Sequence, residues 1–235
     1  MAITIPLLAG TLASILHVIS GPDHLAAVTP LVIETKRKTW KIGLSWGFGH
    51  LIGMLLIGVL LLLFKDYIPV DSISEYSEQL VAIILIGVGV WAFYRIFKEK
   101  KVHRHPHIHS EKVSFIHIHK HRYNDENGHK HTHQKTVRQN IISSFGIGII
   151  HGFAGIAHFL LLLPVLSFKS SLEGVQYVAG FAIGTVLAMS AYALILGELT
   201  QYSKKQHNEI FFKGIRFAGG LFAIVIGFYW LYLSL

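Results

Sequence analysis

Six residues able to bind a metal lie within stretches of sequence that otherwise carry almost no charge. Imidazole nitrogens suit nickel, cobalt, zinc and copper, and a carboxylate adds charge compensation. An ionisable group inside a bilayer is costly, so several of them together indicate a functional site. The alternative is that the histidines are neutral and bond to neighbouring backbone. The candidate metal site comprises His17, Asp23, His24, His50, His151 and His158.

A second group of histidines lies in the polar centre of the chain, where ten of the 16 histidines fall. Histidine-rich tracts are typical of metal binding, and alternation places each cluster on one face of an extended strand. The last two clusters flank a turn-like stretch, 124–128, so we expect a hairpin there with six imidazoles on one surface. The alternative is a disordered basic linker that binds metal only adventitiously. The three clusters are His103, His105, His107 and His109; His117, His119 and His121; and His129, His131 and His133.

Composition excludes several classes of protein. The chain has no cysteine, which excludes thiolate metal sites, thiol redox relays and disulfide scaffolds. Residues 98–138 hold 10 Lys/Arg and 4 Asp/Glu, so this one segment supplies most of the net charge of +8. We therefore expect no nucleic-acid partner. No Gly-x-x-x-x-Gly-Lys-Ser/Thr motif occurs, so the sequence predicts no nucleotide-driven pump.

Long apolar runs must position the candidate site. A membrane-spanning helix needs about 20 largely apolar residues. The first run lacks a basic leading segment and is too long for a signal peptide, so we expect it to be a retained span. The sequence predicts an all-α polytopic membrane protein with six transmembrane helices. Their apolar runs are 1–33, 42–64, 79–94, 139–168, 174–197 and 217–235.

The distribution of basic residues predicts the orientation of the spans. Nineteen of the 21 Lys/Arg fall in the first, third and fifth loops of the six-span arrangement. Cytoplasmic loops carry an excess of Lys/Arg. We therefore expect an integral protein of a bacterial cytoplasmic membrane, with both termini outside and the His-rich loop in the cytoplasm.

The two halves of the chain carry a repeated pattern. His17, His24 and Pro30 recur 134 residues later as His151, His158 and Pro164. Three spans is an odd number, so the second copy must be inverted, as in many transporters. We predict a first three-helix repeat over 1–97, a cytoplasmic His-rich loop over 98–138 and a second repeat over 139–235.

The first span contains a predicted break. Pro22 lacks an N–H and its ring clashes with the carbonyl group of Val18, and Gly21 beside it eases a kink. Positions seven apart share a helix face, so His17 and His24 are expected to lie together, with Asp23 brought round by the kink. We expect the first and fourth helices to be broken or kinked.

The residues 17–28, His-Val-Ile-Ser-Gly-Pro-Asp-His-Leu-Ala-Ala-Val, resemble the signature helix of the nickel/cobalt transporters, the NiCoT and NicO group. They resemble in particular its UreH-like branch of urease-accessory membrane proteins. Residues 151–158 are similar to the second-half motif of that branch. The family motif has four residues between His and Asp-His where this chain has five, and this chain lacks a further Asp of the permease motif. The His-rich loop is similar to that of the effluxers of the group. The resemblance implies that His17, Asp23, His24, His50, His151 and His158 are metal ligands.

These observations favour a secondary transporter of a divalent transition metal, Ni²⁺ or Co²⁺ first and Zn²⁺ next, with no permanently bound cofactor. The protein is expected not to be an enzyme. The alternatives are a membrane metalloenzyme and a membrane-anchored metal sensor or chaperone. Besides the metal ion and the lipid bilayer, a cytoplasmic metallochaperone and a second copy of the chain are candidate partners.

Overall fold

The computed structural model describes residues 5–35, 37–64, 70–98, 103–108, 116–121, 133–154, 165, 167–205 and 209–235. Within these ranges the chain forms seven helices and one two-stranded antiparallel hairpin. The elements are α1 (Ile5–Ser20), α2 (Pro22–Glu34), α3 (Trp40–Phe64), α4 (Val70–Lys98), β1 (His103–Ile108), β2 (Ile116–His121), α5 (His133–Ala154), α6 (Ser171–Lys205) and α7 (Glu209–Leu233).

Four helices are long and apolar enough to cross a membrane by themselves, over Trp40–Leu60, Glu78–Lys98, Ser171–Ser203 and Ile210–Leu233. A fifth span results if α1 and α2 together form one bent span. The predicted fourth span, 139–168, is described as a helix only to Ala154. The described residues therefore contain four or five candidate spans rather than the six expected.

The first span is broken at the predicted position. α1 ends at Ser20, α2 begins at Pro22, and the two helices are bent by 70°. Gly21 between them has extended dihedral angles, φ −89° and ψ 93°. Proline suits the first position of a helix, where its missing N–H would have no intrahelical partner. The expected break in the fourth helix lies outside the described residues.

The helices of the two halves pack across each other. The most extensive pairs are α1 with α6, α3 with α5, and α4 with α7, and α3 also packs against α6. One buried apolar cluster joins α2, α3 and α6 and includes Val28, Ile42, Trp46 and Met189. The first helical segment of each half thus packs mainly on the second helix of the other half.

Glycines allow two of these pairs to approach closely. A Cβ atom at Gly49 or Gly53 would overlap the backbone of α5, and one at Gly180 or Gly184 would overlap atoms of α1. Small residues at helix interfaces let backbones come together in a membrane, where van der Waals packing drives association. These positions hold α3 and α6 against their partners.

The ends of several helices meet at one side of the bundle. The two carboxylate oxygens of Glu34, at the end of α2, pair with buried Arg216 of α7 at 2.7 Å and with Arg95 of α4 at 3.0 Å. Asn140 of α5 donates to the Thr35 hydroxyl at 2.9 Å. The ends of α2 and α4 and the beginnings of α5 and α7 therefore share one side. Gln79 of α4 bonds the backbone near the end of α7, at the opposite end of both helices.

The central segment contains two short strands, and the other elements are helical. β1 carries part of the first histidine cluster, β2 carries the second, and the two strands pair antiparallel. The hairpin expected across 124–128 lies outside the described residues, and His133 of the third cluster begins α5. α5 thus begins six residues before the predicted start of the second repeat.

Candidate metal centre

A buried carboxylate bridges two histidines from different parts of the chain. Oδ1 of Asp23 lies 3.0 Å from Nδ1 of His24, and Oδ2 lies 2.7 Å from Nε2 of His151. An ionised carboxylate is an acceptor only, so the two ring nitrogens donate to it. In neutral imidazoles, the lone pairs then lie on Nε2 of His24 and Nδ1 of His151. Asp23 therefore fixes which nitrogen of each ring is available as a ligand.

His24 is the centre of a group of imidazoles. Its ring centroid lies 4.6 Å from that of His17, 4.8 Å from that of His151 and 5.5 Å from that of His50. His24, His50 and His151 are buried, whereas His17 is partly exposed. The break at Gly21 places His17 and His24 on different helices, so the bend between α1 and α2, and not a shared helix face, brings them together.

Two sets of three residues have the spacing of a metal site. The candidate ligand atoms of His17, His24 and His50 lie within 4.8 Å of one another, and so do those of Asp23, His24 and His151. His158, the sixth predicted ligand, lies outside the described residues. The structure therefore brings five of the six predicted residues into one cluster.

Backbone contact between α3 and α5 brings His50 and His151 to the same level. A Cβ atom at Gly152 would overlap the carbonyl oxygen of His50, and one at Gly148 would overlap that of Trp46. These glycines let α5 lie directly on α3 beside the cluster. Gly21 has a similar role, because a Cβ atom there would lie 2.5 Å from Nδ1 of His24.

Trp46 is part of the site although sequence reasoning did not select it. Its fully buried side chain stacks on His50 with ring centroids 4.8 Å apart and an interplanar angle of 10°. The same ring lies 5.4 Å from the rings of His24 and His151. Trp46 thus closes one side of the cluster with an apolar surface. Its spacing of four from His50, one helical turn, was the available signal.

Seven of the ten loop histidines fall within described elements. Six of them lie in β1 and β2, and His133 begins α5. The remaining three, His109, His129 and His131, lie outside the described residues.

Comparison with known proteins places these features in a family. Residues 7–229 match the family described as "Cytochrome C biogenesis protein transmembrane region". The chain is 32% identical to the urease accessory protein UreH of Bacillus sp. (strain TB-90) over 185 residues, which are 75% of this chain and 69% of UreH. It is 21% identical to a nickel/cobalt efflux system, so named, of Methanocaldococcus jannaschii, over 91% of this chain and 86% of that protein.

A plant relative extends the comparison. The chain is 32% identical over 221 residues to Chloroplast protein FOR GROWTH AND FERTILITY 2 of Arabidopsis thaliana. The match covers 93% of this chain but only 54% of the plant protein, so the chain spans about half the length of that relative. No solved structure matches the chain. The apolar helices and these relatives together identify an integral membrane protein.

Proposed function

This chain belongs to the cytochrome c biogenesis transmembrane family and is a relative of UreH in the nickel/cobalt transporter-like group, and from that premise we propose that it is a secondary transporter of a divalent transition metal ion, Ni²⁺ or Co²⁺ first. The observation that carries the proposal is the buried cluster in which Asp23 engages His24 and His151 while His17 and His50 adjoin His24. Several ionisable groups inside a bilayer are costly and mark a transport pathway or ion site.

Within the cluster, we assign the cation to the imidazoles of His17, His24 and His50. Both oxygens of Asp23 are already engaged by ring nitrogens, so the carboxylate orients His24 and His151 and supplies a negative charge. Ligating histidines commonly donate their other ring nitrogen to a carboxylate, which raises their basicity as ligands. Three neutral ligands leave coordination positions for water, which suits an ion that must be released again.

The absence of cysteine separates this proposal from thiol chemistry, which the family description could otherwise suggest. The chain contains no cysteine, so its own residues cannot form a dithiol or a disulfide. Thiol–disulfide exchange requires attack of a thiolate on a disulfide sulfur. The residues of this chain therefore cannot themselves carry out thiol–disulfide exchange.

The packing of the helices supports an inverted repeat. Gly89 of α4 lies against Gly220 and Ile224 of α7, and Gly227 of α7 lies against Ala82 and Ile86 of α4. Each pair of equivalent residues is 138 apart, which is the relation expected of two halves related by a two-fold axis. We propose two inverted three-helix repeats, in which the predicted fourth span, 139–168, brings the number of spans to six, with the cation near the interface of the repeats.

The same contacts refine the alignment of the repeat. Gly49 lies against Phe145 and the corresponding Gly180 against Leu7, so the packed positions of α5 and α1 are also 138 apart. The histidine motif repeats at 134, one helical turn away. We infer that the repeat of the scaffold and the repeat of the histidines differ in register. At the scaffold offsets, neither His50 nor His151 has an imidazole at the equivalent position of the other half.

The shared side of the bundle supports the expected orientation. The ends of α2 and α4 and the beginnings of α5 and α7 meet around Glu34 and Asn140, and these ends adjoin the three basic loops. We propose that this side faces the cytoplasm, with both termini outside. Tags near Asn127 and Ser72 should then be reached from the inside and the outside, respectively.

The proposal is tested by Ni²⁺ flux into proteoliposomes of determined orientation. His24→Ala and His17→Ala should each abolish flux, because each removes a ligand, while the protein remains folded in detergent. The matched control is His207→Ala, which removes a histidine that belongs to neither histidine group. Flux near that of the unmodified protein in the double variant of His17 and His24 would overturn the site.

A further inference from the structure

Glu34, at the end of α2, is the centre of a charge cluster that the proposed metal site does not use. One of its carboxylate oxygens lies 2.7 Å from Nε of Arg216 in α7, and the other lies 3.0 Å from a terminal nitrogen of Arg95 in α4. The side chains of Glu34 and Arg216 are 9% and 2% exposed, whereas that of Arg95 is 43% exposed. These three residues, here called the ionic lock, join three helices at a point that water reaches beside Arg95.

Helix α2 connects the ionic lock to the proposed metal site. Its first turn carries Asp23 and His24, and its last residue is Glu34. Ten residues of α-helix separate His24 from Glu34, which corresponds to a rise of about 15 Å. Gly21 precedes the helix in an extended conformation, at the 70° bend that follows α1. α2 is therefore a short element with a bend and a ligand at its beginning and the ionic lock at its end.

The stretch of α2 between the ligand and the ionic lock is closely packed. Residues 26–33 are all buried. Val28 and Leu31 belong to the apolar cluster shared with α3 and α6, and the hydroxyl group of Thr29 bonds that of Tyr192 in α6. Apolar packing excludes an ion, because a buried charge without partners is very costly. An ion that leaves His24 along α2 therefore cannot pass until α2 has moved.

The contacts of α2 with α7 differ in kind from those of α5 with α3. A Cβ atom at Gly152 of α5 would overlap the backbone of α3, whereas one at Gly219 of α7 would meet side-chain atoms of Ile33 and Thr29 in α2. Side chains can change rotamer, while two backbones in contact separate only if a whole helix moves. α2 is therefore held less rigidly by α7 than α5 is held by α3, and the ionic lock supplies the charged contacts that hold its end.

We propose that the ionic lock is the cytoplasmic gate of the transporter. It holds the end of α2 against α4 and α7 while the metal site is closed to the cytoplasm, and it separates when α2 swings about Gly21 to release the ion. Hinge motions of this kind are absorbed by a few residues at the ends of elements, and salt bridges at the interface repack. The inference rests on the proposed function, which supplies the ion and the orientation.

A thiol placed between the ligand and the ionic lock reports whether the gate is open. The chain contains no cysteine, so Thr29→Cys gives a single reactive site, five residues from both His24 and Glu34. The probe is trimethylammonium-ethyl methanethiosulfonate, a charged thiol reagent that does not cross membranes. Its rate of reaction is measured on the full-length protein in proteoliposomes of determined orientation, with the reagent on one side at a time and without metal.

The gate is opened by Glu34→Gln in the Thr29→Cys background, because this change keeps the size of the side chain and removes its charge. The reaction rate from the side of the ionic lock should rise about 10-fold or more, since loss of both ion pairs increases the open population. The rate from the opposite side should not rise. The matched control is Glu198→Gln, the same change at an exposed residue of α6, which should alter either rate less than about 2-fold.

Two results would overturn the gate. One is equal reaction rates in Glu34→Gln and Glu198→Gln, and the other is a rise of the same size from both sides, because a loosened fold admits the reagent from either side. Arg95→Gln keeps the test decisive if Glu34→Gln does not insert into the membrane. It leaves the buried pair of Glu34 and Arg216 and should raise the rate from the same side by a smaller factor, and no rise would then overturn the gate.

Ni²⁺ flux through the protein without substitutions separates this inference from the transport proposal. Normal Ni²⁺ flux together with equal reaction rates in Glu34→Gln and Glu198→Gln would overturn the gate and leave transport standing. A one-sided rise in Glu34→Gln, in a protein that moves no Ni²⁺, would overturn transport of this ion and leave the ionic lock as a gate.

Discussion

The buried cluster and the hairpin use the same side chain in two different settings. In the cluster, a carboxylate accepts from His24 and His151, an indole ring stacks on His50, and helix backbones touch at Gly152. In the hairpin, histidines are set opposite each other by strand register alone, beside basic residues and with no carboxylate in either strand. From this contrast we expect a selective metal ligand where neighbouring residues support the imidazole, and a labile metal reservoir where histidines are only dense.

The largest expected difference between the two regions is in flux. His50→Ala removes a fully buried ligand of the proposed site and should lower Ni²⁺ flux in proteoliposomes by about 100-fold or more, since an incomplete ligand set cannot replace the water of the ion. His105→Ala, the matched change in the hairpin, should change flux less than about 2-fold, because it leaves every residue of the buried cluster in place. Similar losses of Ni²⁺ flux in the two variants would contradict the proposed difference between the two regions.

The second expected effect concerns the carboxylate. Asp23→Asn keeps the size of the side chain but removes the charge that orients His24 and His151. Loss of such an orienting partner typically costs about 10- to 100-fold in metal affinity. Isothermal titration with Ni²⁺ checks this, with Asp71→Asn, at the beginning of α4, as the control. An affinity within 2-fold of the unmodified protein would mean that Asp23 does not support the ligands.

The third prediction removes the reservoir. Deletion of residues 103–132, which stops just before α5 begins at His133, should remove most of the bound Ni²⁺ per chain and leave one tighter site. Flux should remain measurable but slower. Binding that is lost with the deletion should also fade below about pH 6, because protons compete with the cation for imidazole nitrogens. A correctly inserted deletion protein with no remaining metal site would place all binding in the central segment.

The smallest expected effect on metal affinity comes from Trp46, whose ring stacks on His50. Trp46→Phe shrinks the ring that stacks on His50, and an aromatic pair contributes about 0.5–1.5 kcal/mol beyond its buried area. Metal affinity should therefore fall about 2- to 10-fold. Trp40→Phe, a change at an exposed tryptophan of the same helix, is the control. Equal affinities in the two variants would remove Trp46 from the set of residues that position His50.

The parts of the site that could be predicted from the sequence are those whose residues are energetically unfavourable in their local stretch of chain. Asp23 and the histidines are expensive in an apolar run, and Pro22 cannot continue a helix, so both the ligands and the break could be foreseen. The contact of Asp23 with His151 spans 128 residues, and no local rule predicts it. Trp46 was missed because an aromatic residue in a membrane span is ordinary whether it faces lipid or a site.

The pairing of the two strands depends on contacts that local patterns do not specify. β1 pairs with β2, while His133 of the third cluster begins α5. The face on which the histidines lie followed from alternation and could be predicted, while the identity of the opposed residues could not.

The packing of the helices of one half against those of the other has a consequence for the biosynthesis of the protein. α1 finds its main partner in α6, and α3 finds its main partner in α5, so the glycine-lined surfaces of the first half have no matching backbone until the second half has been synthesised. During translation, helices α1 to α4 must therefore remain in the lipid as an incomplete assembly. A chain truncated after Lys98 is therefore expected to be a substrate for membrane quality control, and the second half, supplied as a separate polypeptide, is expected to rescue it.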